Sequence, residues 1–177
     1  MSYTGKVLRV NLSTGKSAVE PLNKEWARDY IGGKGLSIKY LYEELKPGVD
    51  PLSADNKLIL MNGPMTGTIV PNSGKLAIAA KSPATGTILD CSIGGHFAAE
   101  LKYAGYDAVI IEGKAEKPVY LYIEDQKVEL RSAADLWGKG AHETEHLIAD
   151  TLDDVITLAI GQAGENLVPM ACISSEL

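Results

Sequence analysis

Cysteine is scarce in this chain. Its 177 residues include only Cys91 and Cys172, far apart and without CxxC spacing, so they support neither a disulfide framework nor, by themselves, an iron–sulfur site. No apolar run approaches the length of a membrane helix. The N-terminal stretch MSYTGKVLRV reads as a strand, not as the charged-then-apolar pattern of a signal peptide. No cluster of Lys and Arg stands out either, and a net charge of -6 with a pI near 5.1 argues against a nucleic-acid surface, which needs a basic face. The expectation is a cytoplasmic protein whose partners are small molecules or other proteins, with no nucleic acid and no membrane. GxGxxG and GxxxxGK(S/T) are also missing, which excludes an ordinary Rossmann or P-loop assignment. No low-complexity linker divides the chain, and Lys46 to Leu52 is its best loop candidate.

What is present begins with 45% hydrophobic residues and 18 glycines, enough for a sizeable core connected by tight turns. A motif occurs twice: Trp26 to Gly35 reads WARDYIGGKG and Leu136 to Gly140 reads LWGKG, so an internal repeat organises the reading. Before the first copy, Val7 to Leu12 and Ser17 to Leu22 form a hairpin pattern around Ser13-Thr14-Gly15-Lys16, and Leu36 to Leu45 follows as a helix. Before the second, Pro118 to Glu124 and Lys127 to Arg131 flank an Asp125-Gln126 turn, and Ala141 to Leu152 follows as a helix. Each helix leads to an apolar run broken by glycine, Lys57 to Gly67 and Val155 to Gly164, then to a strand pattern, Gly74 to Ser82 and Leu167 to Ser175. The first copy continues through a strand, the SIGG turn (Ser92 to Gly95), a helix and the strand Ala108 to Lys114, which the second lacks. The expected fold is α+β, with duplicated strand-hairpin and helix units forming layered sheets with flanking helices. Repeat 1 covers about 5–115 and a partial repeat 2 about 116–177, within one domain that is a piece of a longer duplicated unit.

Three stretches could carry chemistry. From Thr87 to Gly113 the pattern is strand, glycine turn, helix and strand, with Phe97, Ala98, Leu101 and Ala104 on one helical face and Gly105 as a left-handed C-terminal cap. A helix starting at Gly94-Gly95 would present backbone N–H groups to a phosphate or other anion, although paired glycines also serve close packing alone. In Pro64 to Gly86, Lys75 opens a strand after Asn72-Ser73-Gly74 and could reach an anion, or be a solvated strand-end lysine. His142-Glu143-Thr144-Glu145-His146 fits the HExxH zinc-peptidase pattern. Yet the apolar face of that helix runs through Ala141, Thr144, Leu147, Ile148 and Thr151, which puts both histidines roughly opposite it, as suits a solvated face or a helix lining the floor of a cleft. Ser82, Ser92 and His96 lack a partner that would mark a nucleophile or base.

Several segments in this order, GKVLRVNLSTG, YIGGKGL, NGPMTGT, KSPATG, GGHFAAELKYAGYDAVIIEGKAEKPVYLYI, LWGKG and IGQAGENLV, resemble the N-terminal domain of the tungsten-containing aldehyde:ferredoxin oxidoreductases, from Gly5 to about Ile173. The resemblance implies a base for tungsten bis-molybdopterin whose two pterins share a magnesium ion through their phosphates. It also implies oxidation of an aldehyde to a carboxylic acid, with electrons leaving through a [4Fe-4S] cluster to ferredoxin or another electron-transfer protein. By position it carries cofactor contacts to Lys75, where the family has arginine, to Ser92, where it has asparagine, and to Gly94. The cluster cysteines, further pterin motifs and acid/base residues of the family lie in helical domains that this sequence lacks, so the chain alone should not be catalytically competent. The family includes the tungsten subunit of a benzoyl-CoA reductase, so the substrate class stays open, as does a homo-oligomer. The alternatives are a non-catalytic ligand-binding or scaffold domain of the same fold and, further off, the HExxH zinc hydrolase.

Overall fold

The computed structural model describes residues 2–176; Met1 and Leu177, the ends of the expected domain, lie outside the described residues. A six-stranded mixed sheet runs in the order β2-β1-β6-β3-β4-β5. Its strands are β1 (Lys6–Asn11), β2 (Lys16–Pro21), β3 (Lys57–Asn62), β4 (Leu76–Lys81), β5 (Ile88–Ile93) and β6 (Ala108–Glu112). β1 and β6 pair in parallel, and the other neighbours are antiparallel.

The central strands read as continuous apolar runs because both faces of the sheet are covered. Val7, Ile59, Met61, Ala79 and Ile110 point to one face, where Leu36, Tyr40 and Leu41 of α2 (Gly33–Glu44) and Ala27 of α1 (Lys24–Tyr30) pack against them. Burying each large side chain there stabilises the fold by about 1.5–3 kcal/mol. Leu8, Val10, Leu60, Ile78 and Val109 point to the other face, under Ala98 and Leu101 of α3 (Phe97–Tyr103) and Leu121, Ile123, Val128 and Leu130 of the antiparallel pair β7 (Val119–Glu124) and β8 (Lys127–Ser132).

Both expected hairpins form, and Asp125 takes the positive φ of 50° that the second turn requires. Gly105, with φ 96°, caps α3: its N–H donates to Lys102 O and that of Tyr106 to Leu101 O, the two bonds of a Schellman motif.

Four details depart from the sequence reading. α2 starts at Gly33, not Leu36, so the repeated glycines lie inside its first turn. α3 starts at Phe97, not at Gly94-Gly95, because Gly95 at φ 93° leaves the helical region. Ser92 belongs to β5 and pairs with Ala77 instead of opening a turn. The late strand expected in the second copy, Leu167 to Ser175, does not form, and neither does the apolar run before it make a strand; a single bridge joins Ala159 and Ser174. In the first copy β3 lies between β4 and β6, and the described residues of the second hold no counterpart of β6 against which such a strand could pair. α4 (Ala141–Thr151) buries none of its residues, because the apolar side of its companion hairpin is already packed on the main sheet. One further turn of helix, α5 (Gln162–Glu165), follows.

Candidate anion-binding cleft

The glycine motif of the first copy is two helices joined at a strained turn. Asn23 caps α1 by accepting from Glu25 N at 3.1 Å and Trp26 N at 3.0 Å, and the helix ends at Ile31, whose φ of 66° and ψ of -68° form a γ-turn closed by Gly32 N donating to Tyr30 O. A β-branched residue rarely adopts this conformation. The Tyr3 hydroxyl donates to the Ile31 carbonyl and so helps to hold it. Gly32 then caps α2 without any side-chain hydrogen bond, so the first-turn amides of Gly33, Lys34 and Gly35 have no intrahelical acceptor and the positive end of the helix dipole is exposed.

A cleft of about 270 Å³ opens at that helix end. Its walls are Gly33 and Lys34 of α2, Gly63 to Thr66 of the β3–β4 loop, Ser73, Lys75 and Ala77 around the start of β4, and Ser92 of β5. Close approach of backbone builds the wall between α2 and the loop: a Cβ on Gly32 would stand 2.9 Å from Pro64 Cδ and 3.1 Å from Asn62 O. Buried Thr66 fixes the loop, donating from Oγ1 to Ser73 O at 2.9 Å and accepting from Gly63 N at 3.2 Å.

Two flexible cations serve the cleft, Lys75 and Lys34. Lys34 Nζ lies 2.5 Å from Asp90 Oδ2 while its side chain stays largely exposed, and Asp90 Oδ1 is buried without a hydrogen-bond partner. Burial of part of the side chain, and then the neighbouring Asp90 carboxylate, push the Cys91 thiol up, which lowers its thiolate fraction and so its reactivity beside Ser92. Helix-end amides, two lysines and a hydroxyl without a general base suit the binding of phosphate-like anions more than bond-breaking chemistry.

Of the residues singled out in the sequence, the structure brings Lys75 and Ser92 together in this cleft. Gly94 does not line it, although the adjacent Gly95 carbonyl lies 3.4 Å from the place of a Cβ on Gly74. The Gly95-His96 turn instead meets a carboxylate of the chain itself: His96 N donates to Glu176 Oε2 at 2.5 Å, and His96 Nδ1 bonds Oε1. His142 and His146 are both exposed, and no group of three His, Cys, Asp or Glu able to hold a metal occurs among the described residues. Gly33, Lys34 and Thr66 were missed. The recurrence of GGKG and WGKG carried the signal for the first two, yet it reads as architecture until α2 is seen to end on the cleft.

Comparison with known proteins gives the family of this fold. The family described as "Aldehyde ferredoxin oxidoreductase, N-terminal domain" matches residues 7–177. The tungsten-containing aldehyde ferredoxin oxidoreductase of Pyrococcus furiosus is 49% identical over 97% of this chain and 29% of its own length. The aliphatic sulfonate oxidoreductase WOR-like subunit of the same organism is 34% identical over 99% of this chain and 31% of its own. Among solved structures, the active site complex BamBC of benzoyl coenzyme A reductase with 1,5-dienoyl-CoA superposes with a TM-score of 0.95 at 39% identity, covering 98% of this chain and 27% of that one. The chain thus spans less than a third of the length of each of these relatives. With the matched residues running through both glycine motifs and every wall of the cleft, the chain belongs to the aldehyde ferredoxin oxidoreductase family, as its N-terminal domain.

Proposed function

We infer that this domain is the base on which a pterin-bound tungsten, or molybdenum, is held in an oxidoreductase that converts an aldehyde to a carboxylic acid. The observation that carries the reading is the cleft, where the N-terminus of α2, Lys34, Lys75 and Ser92 converge. The residues fit a phosphate-bearing organic group: wall glycines admit close backbone approach, first-turn amides donate, and two lysines neutralise charge. Bound there, the metal–pterin group would supply the two-electron oxidation chemistry.

The chain's own residues bind and orient. Lys75 and Lys34 each contribute one positive charge, Lys34 turning from Asp90 toward the ligand. Gly33 N–H and Ser92 Oγ–H donate hydrogen bonds, and Thr66 keeps the loop closed against water. Gly94 belongs to the same reading through the Gly95–Gly74 approach beside Lys75 and would meet the phosphate and magnesium end of the ligand. Cys91 and Cys172 are both exposed and far too few for a [4Fe-4S] cluster, so the cluster and the ferredoxin contact belong to the rest of the enzyme. The domain runs from 1 to 177, with repeat 1 about 5–115 and a partial repeat 2 from there on, and is inactive alone. The whole enzyme works in the cytoplasm, as a homo-oligomer or a single copy. No helix among the described residues is long and apolar enough to cross a membrane.

An aldehyde is preferred over other substrates because the greater identity is with the aldehyde enzyme of Pyrococcus furiosus, 49% against 34% for the sulfonate enzyme and 39% for the benzoyl coenzyme A reductase chain. Anaerobically purified full-length protein should reduce ferredoxin when given an aldehyde. Turnover only with an acyl-CoA or a sulfonate would replace the substrate class, and turnover with none would favour a domain kept as a scaffold.

A further inference from the structure

A buried ion pair outside the cleft is tied to both of its glycine walls. Lys102 of α3 and Asp107, which precedes β6, are 7% and 2% exposed at the side chain, and Lys102 Nζ lies 2.5 Å from Asp107 Oδ1. Two charges so buried are tolerated only where further hydrogen bonds satisfy them. Here those bonds reach segments that the cleft uses. Lys102 Nζ donates to the Gly63 carbonyl at 3.3 Å, at the head of the β3–β4 loop. The Asp107 carboxylate accepts from Thr4 N at 3.1 Å and Gly5 N at 2.7 Å, fixing the segment that carries Tyr3. The Tyr3 ring lies 5.8 Å from Lys102 Nζ, and its hydroxyl donates to Ile31 O, in the turn that leads into Gly33 and Lys34.

We propose that Lys102 and Asp107 are a positioning pair that fixes the Ile31 turn and the Gly63 loop relative to each other, and with them the width of the anion cleft. An apolar pair would fill the same volume without desolvating two charges. It could not bond the Gly63 carbonyl and two N-terminal amides at once. The pair acts through its neighbours and touches no ligand. This inference rests on the cofactor reading of the cleft.

The test compares full-length wild-type protein with Lys102→Met, Lys102→Arg, Asp107→Asn and the core control Val10→Ala. Hydrogen exchange of the peptides over residues 28–35 and 62–68 is followed together with bound tungsten and pterin. Lys102→Met should speed exchange in both peptides and lower tungsten and pterin retention by about tenfold, the usual scale for a group that orients the direct contacts. Lys102→Arg should restore most of both. Val10→Ala, which lowers stability from the buried face of β1, should change neither selectively. Should Lys102→Met fail to fold, Asp107→Asn, which keeps one of the two acceptor oxygens and loses the charge, reads the same coupling. Faster exchange confined to 62–68, or wild-type tungsten and pterin content in the Lys102 and Asp107 variants, would overturn the proposal. Wild-type protein that holds neither tungsten nor pterin would sink the cofactor reading, while the two exchange rates would still decide whether the pair couples the walls.

Discussion

Gly32 and Pro64 are set so closely that a methyl group on the glycine would stand 2.9 Å from Pro64 Cδ, with Gly63 Cα at 3.3 Å. The Gly32 φ of 167° is extended backbone open to any residue, so the requirement is for space and not for conformation. Gly32→Ala is expected to cost about 1–3 kcal/mol, the range for overpacking, because neither backbone nor a proline ring can rotate away. Thermal unfolding measures it; wild-type stability in the alanine variant would show that the two turns can part freely.

Ile31 offers the opposite case. Its side chain is 63% exposed, so little packing is lost on truncation, while its φ of 66° carries backbone strain. Ile31→Gly should raise stability by about 1 kcal/mol, the strain relieved less the entropy that glycine adds to the unfolded chain. A destabilised glycine variant in chemical denaturation would show that no strain is stored there.

Acid stability should depend on a charge cluster beneath α2. Arg9 meets Glu20, Glu44 and Glu112, and Lys57 meets Glu44 and Glu112. The hydrogen bond from Lys57 holds the Glu112 carboxyl below its ordinary value. For Glu44, burial pushes upward, but hydrogen bonds from Arg9 and Lys57 outweigh it and leave the group lowered. Lowered carboxylates add stability that is present above the unfolded value of 4.5 and is lost as pH falls through the folded values. Denaturation midpoints should therefore fall below about pH 4.5, with a shallower fall in Glu44→Gln. At neutral pH, Arg9→Met should cost about 2 kcal/mol, less than breaking a fully buried pair.

The contact between His96 and Glu176 should come and go with pH. The hydrogen bond to Glu176 raises His96 above 6.5, and the same bond lowers Glu176 below 4.5; Glu100 is the other charge facing the ring. The histidine contribution is full below 6.5 and disappears as pH rises through its raised value. The glutamate contribution is full above 4.5 and disappears as pH falls through its lowered value. An NMR titration of the His96 ring should give a raised midpoint that Glu176→Gln returns toward the ordinary value. An unchanged midpoint in that variant would refute the pairing.

The sheet and its helices were legible because their signals are local. Alternation and continuous apolar runs marked β1, β3, β4 and β6, Asp125-Gln126 marked its hairpin, and Gly105 marked the end of α3. Lys75 stood out as a lysine opening a strand after a polar glycine-containing loop, Ser92 came from a resemblance, and the pairing of Ala77 with Ser92 explains why they meet. Lys34 stayed hidden because its role depends on α2 ending at the β3–β4 loop, a contact between segments some thirty residues apart. Lys102 hid for another reason: nothing in AAELKYAGYDA distinguishes a buried lysine from a solvated one until Asp107, five residues on, is folded back beneath it. The unformed strand Leu167 to Ser175 of the second copy shows the limit of pattern reading, since an apolar run becomes a strand only where a neighbour accepts its hydrogen bonds.

Tungsten and pterin content of the anaerobically purified full-length protein, wild type beside Lys75→Ala, tests whether the cleft holds the cofactor. The wild type should retain both in near-stoichiometric amount, and removing one charge-assisted contact should lower retention by roughly tenfold with the fold intact. A folded wild-type protein without metal or pterin, or a Lys75→Ala protein loaded as fully as wild type, would contradict the assignment of this cleft.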